Sequence, residues 1–409
     1  MLYQRMLVSF QEDMPEADAP LSMPMQFDLF FDARPNDRVR GFIDTRILYD
    51  SSKDQYSRST AGTTMSSIPT AAGTAALVPN NPQTVLDQAW IKFDIDRTVF
   101  VTAGKQHVKW GTARFWNPTD FLSTQRRDPL LPYDLRLGDT MAKFELPLEA
   151  SQTNLYAIAL FDNTGPASTL GQLGLALRAE KVFGETEVGL DLLTRGRRMP
   201  SWGADISSSL GPFDVYTEAA LLPRAPGPVY KLLNKPTAGA DVTTLVGFET
   251  KNDPVVQATI GGNYQFAWMD NRTATVGLEY FHNPLGYDNG EIYPVLIFFG
   301  AFQPYMVGRD YGGLYVTAEG PDAQKKTSYT FSTLGNLNDK SFYSRLDFRW
   351  LTLNYLTFEA FGGVHFGGEG GEFNFEIDTP ALTYGATAIP AVKLPRTIYD
   401  IGLGLRVAF

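Results

Sequence analysis

Apolar and polar residues alternate with a period of two along most of the chain. In the last segment Tyr399, Ile401, Leu403, Leu405, Val407 and Phe409 share one face, while Asp400, Gly402, Gly404, Arg406 and Ala408 share the other. The same division separates Phe342, Ser344, Leu346, Phe348 and Trp350 from Tyr343, Arg345, Asp347 and Arg349. It also separates Val39, Ile43, Ile47 and Tyr49 from Arg38, Arg40, Asp44 and Arg46. Side chains of a strand point alternately to its two faces, so each segment predicts a strand with one apolar and one wetted face. Segments of about 10 such residues, repeated along a whole chain, form the pattern of a transmembrane β-barrel. A large soluble sandwich or propeller would alternate too, and stands as the rival reading.

The spacing of the connections favours the barrel. Short turns fall at Pro35-Asn36-Asp37, Asp96-Arg97, Ala150-Ser151, Gly184, Gly211-Pro212, Met269-Asp270-Asn271, Gly320-Pro321 and Thr352. Between them lie longer connections near 11–24, 52–83, 111–137, 163–171, 225–252, 284–309 and 368–396, with shorter ones near 198 and 339. Short periplasmic turns alternating with long extracellular loops predict an all-β fold: one antiparallel barrel domain over residues 1–409, with about 18 strands. Leu2 to Phe10 is its first strand, and both termini lie on the periplasmic side. Trp110, Trp202, Trp268, Tyr280, Trp350 and Tyr399 fall near strand ends, where an interfacial girdle belongs.

Composition narrows the function classes. No segment reaches the 18 or so uninterrupted apolar residues of a spanning helix. The most apolar stretch, Tyr293 to Gly308, is interrupted by Pro294 and Pro304 and predicts a poor helix. Its run Val295 to Phe299 predicts an inward lid or a strand extension, with partner docking as the alternative. Cysteine is absent, which removes disulfides and thiolate chemistry. The formal charge of −10 argues against a nucleic-acid partner. Met1 to Phe10 lacks the charged start and apolar core of a signal peptide, so the sequence reads as a mature or trimmed form. His107, His282 and His365 stand without a Gly-flanked serine or metal-ligand spacing. No enzyme, metal site or cofactor is expected.

Two groups of residues are candidates for solute handling. Lys92, Lys105, His107, Lys109 and Lys143 fall on or beside three consecutive predicted strands and would form a basic strip along the lumen. The loop over 111–137 contains Asn117-Pro118-Thr119-Asp120, a turn able to cap a short helical stretch, and then Arg126, Arg127, Asp128, Asp134 and Arg136. Folded inward, these charges would set a constriction; folded outward, they would pair among themselves. The rest of the inner face is mixed in charge, which predicts cross-strand pairing for most of it. The segment from Ser51 to Pro82, rich in Ser, Thr, Ala and Pro, reads as a long external loop.

Two resemblances add to this reading. The terminal Phe409, at the end of an alternating aromatic strand, resembles the signature by which bacterial outer-membrane barrels are recognised for insertion, which implies a barrel-assembly machinery and outer-membrane lipid as partners. Gly104-Lys105-Gln106, Trp110-Gly111 and Asn117-Pro118-Thr119-Asp120-Phe121 resemble a strand-and-loop pattern of alginate-export-type barrels, in which an 18-stranded barrel with a basic lumen passes an anionic polysaccharide. Lys105 stands where that pattern has arginine, so the resemblance bears on architecture more than on substrate. The expectation is an outer-membrane channel for a hydrophilic solute or polymer, anionic if the basic residues decide. The alternatives are a barrel that sheathes or anchors a periplasmic or lumen-occupying protein, and polysaccharide export.

Overall fold

The computed structural model describes residues 1–52, 81–123, 127–131, 133–161, 173–196, 199–269 and 271–408. Most of the connection near 52–83, the connection at 163–171, Arg126 and Phe409 lie outside the described residues.

Alternation becomes one closed antiparallel sheet. Its strands are β1 (Leu2–Gln11), β2 (Pro24–Asn36), β3 (Val39–Asp50), β4 (Gln83–Ile95), β5 (Val99–Gln106), β6 (Asp139–Leu148), β7 (Thr153–Leu160), β8 (Gly174–Phe183) and β9 (Thr186–Arg195). They continue with β10 (Ser201–Leu210), β11 (Phe213–Leu222), β12 (Val255–Met269), β13 (Arg272–His282), β14 (Asp310–Glu319), β15 (Thr327–Asn336), β16 (Ser341–Leu353), β17 (Leu356–Gly367) and β18 (Thr397–Val407). Neighbours in sequence are neighbours in space, and β1 closes the ring by pairing Leu2 to Gln11 with Val407 to Thr397 of β18. A two-residue strand, Leu21–Ser22, extends the pairing of β1, and the other 18 strands form the wall. Closure removes the unpaired edges that an open sheet of this size would present.

The two faces separate as the alternation predicts. Leu190, Ile260, Leu278 and Leu346 point outward and are 58%, 60%, 64% and 51% exposed. Their inward neighbours Asp191, Glu279 and Arg345 are buried. Apolar residues at these exposures over a whole barrel suit hydrocarbon rather than water. Trp202, Trp268, Tyr280 and Trp350 are exposed near strand ends, as expected of a girdle. Trp110 is not among them: it is 4% exposed and packs inside with Leu122, Met141, Ile158 and Leu160.

At the long-loop end three connections share one apolar core. Val242, Leu245 and Val246 pack with Ile292, Tyr293, Val295, Leu296 and Phe298, and with Ile389. The run Val295 to Phe299 is thus largely covered by neighbouring loops, which removes most of it from water. Of the stretch Tyr293 to Gly308 only Tyr293–Phe298 is helical, tolerated because Pro294 sits in the first turn, where no backbone N–H is required.

A charge on the outward face gives a direct check. Leu278→Arg should destabilise the barrel in lipid vesicles by about 2–4 kcal/mol if the residue faces hydrocarbon near the bilayer midplane. In urea titrations a change within about 0.5 kcal/mol would indicate a water-facing surface instead.

Candidate functional site

The connection 107–138 folds into the lumen and is held from several sides of the wall. A β-bulge between β3 and β4 makes the first anchor. Asp44 pairs with Gln88 and Thr45 with Leu86, so Asp87 is the extra residue, and its carboxylate is buried. That carboxylate meets His107 Nε2 at 2.9 Å, accepts the Gly138 N–H at 3.2 Å and pairs with Arg46 at 2.8 Å. One bulged residue therefore clamps both ends of the loop. Arg46 also donates to the carbonyl of Leu135 at 2.8 Å.

The middle of the loop is tied to the far wall by two buried carboxylates. Glu218 on β11 accepts the N–H groups of Thr112 and Ala113 at 2.5 and 2.6 Å, the Thr119 hydroxyl at 2.8 Å and the Asn117 amide at 3.0 Å. Glu279 on β13 accepts the N–H groups of Arg114, Phe115 and Trp116 at 2.8, 3.0 and 2.7 Å, and the Tyr216 hydroxyl at 2.7 Å. The described residues of the loop form no helix or strand, so their backbone donors need partners once buried, and the carboxylates supply them. Asn117 to Asp120 make a turn, closed by an Asp120 N–H to Asn117 carbonyl bond, and not the cap of a helix. Thr259 donates to the Trp116 carbonyl and Arg195 to the carbonyls of Phe121 and Leu122.

Glycines on the wall and in the loop itself make room for this crossing. A side chain added at Gly313 would come within 2.6 Å of the Phe115 ring, and one at Gly111, where φ is +88°, within 2.6 Å of the Glu218 oxygens. Phe115 and Trp116 then pack on Phe281, Tyr311 and Tyr315, while Trp116 donates its indole N–H to the Tyr305 carbonyl at 2.8 Å. Through Tyr305 the loop touches the outer cap. The backbone N–H of Tyr305 donates to Glu372, which also accepts from Tyr311 at 2.6 Å and Asn336 at 3.1 Å.

The expected site residues are distributed unevenly. Arg136 pairs with Asp120 at 2.8 Å and with Asp134 at 2.7 Å, so those charges are paired within the inward loop. Asp128 accepts the Leu130 N–H at 3.0 Å. Lys143 faces the lumen but pairs with Glu145 at 3.2 Å. Lys92 lies in the inward phase beside Phe100. Lys105 pairs in register with Ala89, in the outward phase of Ile43 and Ile91, and its ammonium folds back to the Leu86 carbonyl at 2.6 Å. The alternation assigned it inward, but residues 104 to 106 lie where the strand ends and Gly104 takes a positive φ of 126°. The basic strip is therefore not continuous: Lys109 and Arg127 instead meet Arg5, Arg114 and Arg349 around another cavity.

That cavity, of about 590 Å³, lies beneath the loop in the short-turn half of the barrel and is also lined by Arg345, Asp347 and Glu359. Arg345 is paired with Asp347 at 2.5 Å, and Glu359 accepts the hydroxyls of Tyr3 and Tyr133 at 2.8 and 2.7 Å. A second cavity of about 580 Å³ is lined by Glu185, Glu187 and Asp214 from β9, β11 and the turn before β9. Thr112 and Arg114 line both, so the loop separates a cationic from an acidic compartment.

Two outcomes follow from this anchoring. Glu279→Ala leaves buried N–H groups without an acceptor and should cost about 2–4 kcal/mol in unfolding titrations; a loss below about 0.5 kcal/mol would contradict the tether. At Glu372 enclosure raises the carboxyl pKa from its ordinary 4.5 to about 7. The folded state therefore keeps a proton that the unfolded chain releases, so the contribution is complete below the ordinary value and is lost as pH rises through about 7. Protease cleavage within 368–396 should accelerate between pH 5 and 8, and Glu372→Gln should flatten that dependence.

No family model and no curated protein sequence matches the chain. Solved structures do. A mutant Rhodopseudomonas blastica porin aligns over 100% of both chains at 11% identity with a TM-score of 0.44. OccAB1 of Acinetobacter baumannii aligns over 99% of this chain and 94% of its own, at 9% identity, with a TM-score of 0.54. At that identity the likeness concerns fold: the chain is a closed 18-stranded antiparallel barrel similar to OccAB1 along almost its full length.

Proposed function

We propose that the chain is an outer-membrane channel for small hydrophilic solutes, with a preference for those carrying negative charge. The apolar outer face suits a bilayer, and a barrel is one of the two architectures that satisfy every backbone group there. The observation that carries the reading is the loop 107–138, tethered across the lumen with Lys109, Arg114 and Arg127 facing the cavity beneath it. An inward loop narrows the bore, and charges on its edge act where solute and wall are closest. The buried tethers also weigh against a polymer or a threaded protein as the cargo, since either would have to displace the loop from Glu218 and Glu279.

Single-channel recording in planar bilayers tests this. The protein should give steady conductance with chloride favoured over potassium, and Arg114→Glu combined with Arg349→Glu should lower that preference several-fold. A silent barrel would contradict the channel, and a selectivity indifferent to both substitutions would contradict the role of the cations.

A further inference from the structure

The cationic compartment goes beyond what a weak charge preference requires. Arg5, Lys109, Arg114, Arg127 and Arg349 come from β1, the inward loop and β16 to line one cavity. Among the described residues none of the five makes an ion pair. Elsewhere the inner wall does the opposite: buried Arg178 is held by Asp191 and Asp205 at 2.6 and 2.7 Å, and Arg46 by Asp28 and Asp87. Of the two acids in this cavity, Asp347 is paired with Arg345, and Glu359, the cross-strand partner of Arg349, accepts two tyrosine hydroxyls and keeps its charge, so the cations outnumber the acids that face them.

Several further features mark an excess of positive charge. The Nε of Arg127 is enclosed with no hydrogen-bond partner. Burial, and then the neighbouring Arg127 cation, lower the pKa of the Lys109 ammonium against the opposing pull of Asp120 and Glu218. Arg114 lies over the Tyr315 ring at 3.8 Å, which fixes the guanidinium while leaving its edge available. On the wall beside Arg349, β14 and β15 present Thr317, Ser328, Thr330 and Ser332, hydroxyls able to bond a polar ligand.

We propose that this cavity is a saturable binding site for a small organic anion with two or more acidic groups, held by Arg5, Lys109, Arg114, Arg127 and Arg349. The inference rests on the channel reading in supposing that the cavity is reached by solutes from outside the barrel. A single carboxylate would neutralise one cation and leave the others repelling each other; each added acidic group recruits another guanidinium, whose planar donors match a carboxylate. A cavity of about 590 Å³ holds such an anion with some of its water.

Calorimetry on the full chain in detergent, with citrate as the probe and acetate as the monovalent control, tests the site without requiring conductance. Citrate should bind with a saturable 1:1 isotherm at least 100-fold more tightly than acetate. Arg5→Gln with Arg349→Gln should weaken citrate at least 10-fold, and Lys109→Gln, a single change in the loop, should weaken it several-fold in a barrel that retains its folded electrophoretic mobility. Citrate binding no tighter than acetate, or unaffected by these variants, would overturn the site. A chloride-selective channel with that calorimetric result would retire the site and leave the channel reading intact. Citrate binding lost in the variants, in a barrel without anion preference, would support the site and retire the selectivity.

Discussion

The arrangement of the lumen depends on buried carboxylates that receive backbone N–H groups. A segment without helix or strand cannot lie across a barrel unless its peptide donors find acceptors, because water is excluded where Phe115 and Trp116 pack. Glu218 and Glu279 solve this by each accepting consecutive N–H groups of the loop. The negative charge that would be costly alone is offset by several charge-assisted bonds, and the loop gains a fixed path. Arg114, Lys109 and Arg127 inherit their positions from that path.

The same tether explains why the two sides of the loop differ. With Thr112 to Trp116 drawn to β11 and β13, the guanidinium of Arg114 lies between a compartment whose free charges are cations and one whose wall carries Glu185, Glu187 and Asp214. Opposed charges on the two sides of the loop create a field across the lumen that would orient a polar solute in the proposed channel. Farther out, the shared core of the three long connections and the Glu372 cluster brace the loop through Tyr305.

The barrel was legible because its signal is additive: a period of two, repeated from Leu2 to Val407, needs no knowledge of which residues meet across the lumen. The inward loop was half legible. Its charges and its turn at Asn117 stand out in the sequence, but its direction depends on Glu218 and Glu279, which read simply as inner-face acids. A signal was present nonetheless. Glu279 pairs across the sheet with Gly261 and Gly313, so an inward acid is flanked by residues too small to fill the space beside it. The strip through Lys105 went astray at a strand end, where one positive-φ glycine disturbs the strand from which the phase was counted. Arg5 and Arg114 were overlooked because long-range convergence leaves no mark in local spacing.

On the proposed reading, the tethered loop sets both the bore and the charge preference of the lumen. Replacing residues 112–135 by a short Gly–Ser linker and comparing single-channel conductance with the intact protein tests it most directly. The account predicts a several-fold rise in conductance together with loss of most anion preference; a channel of unchanged conductance and selectivity would contradict it.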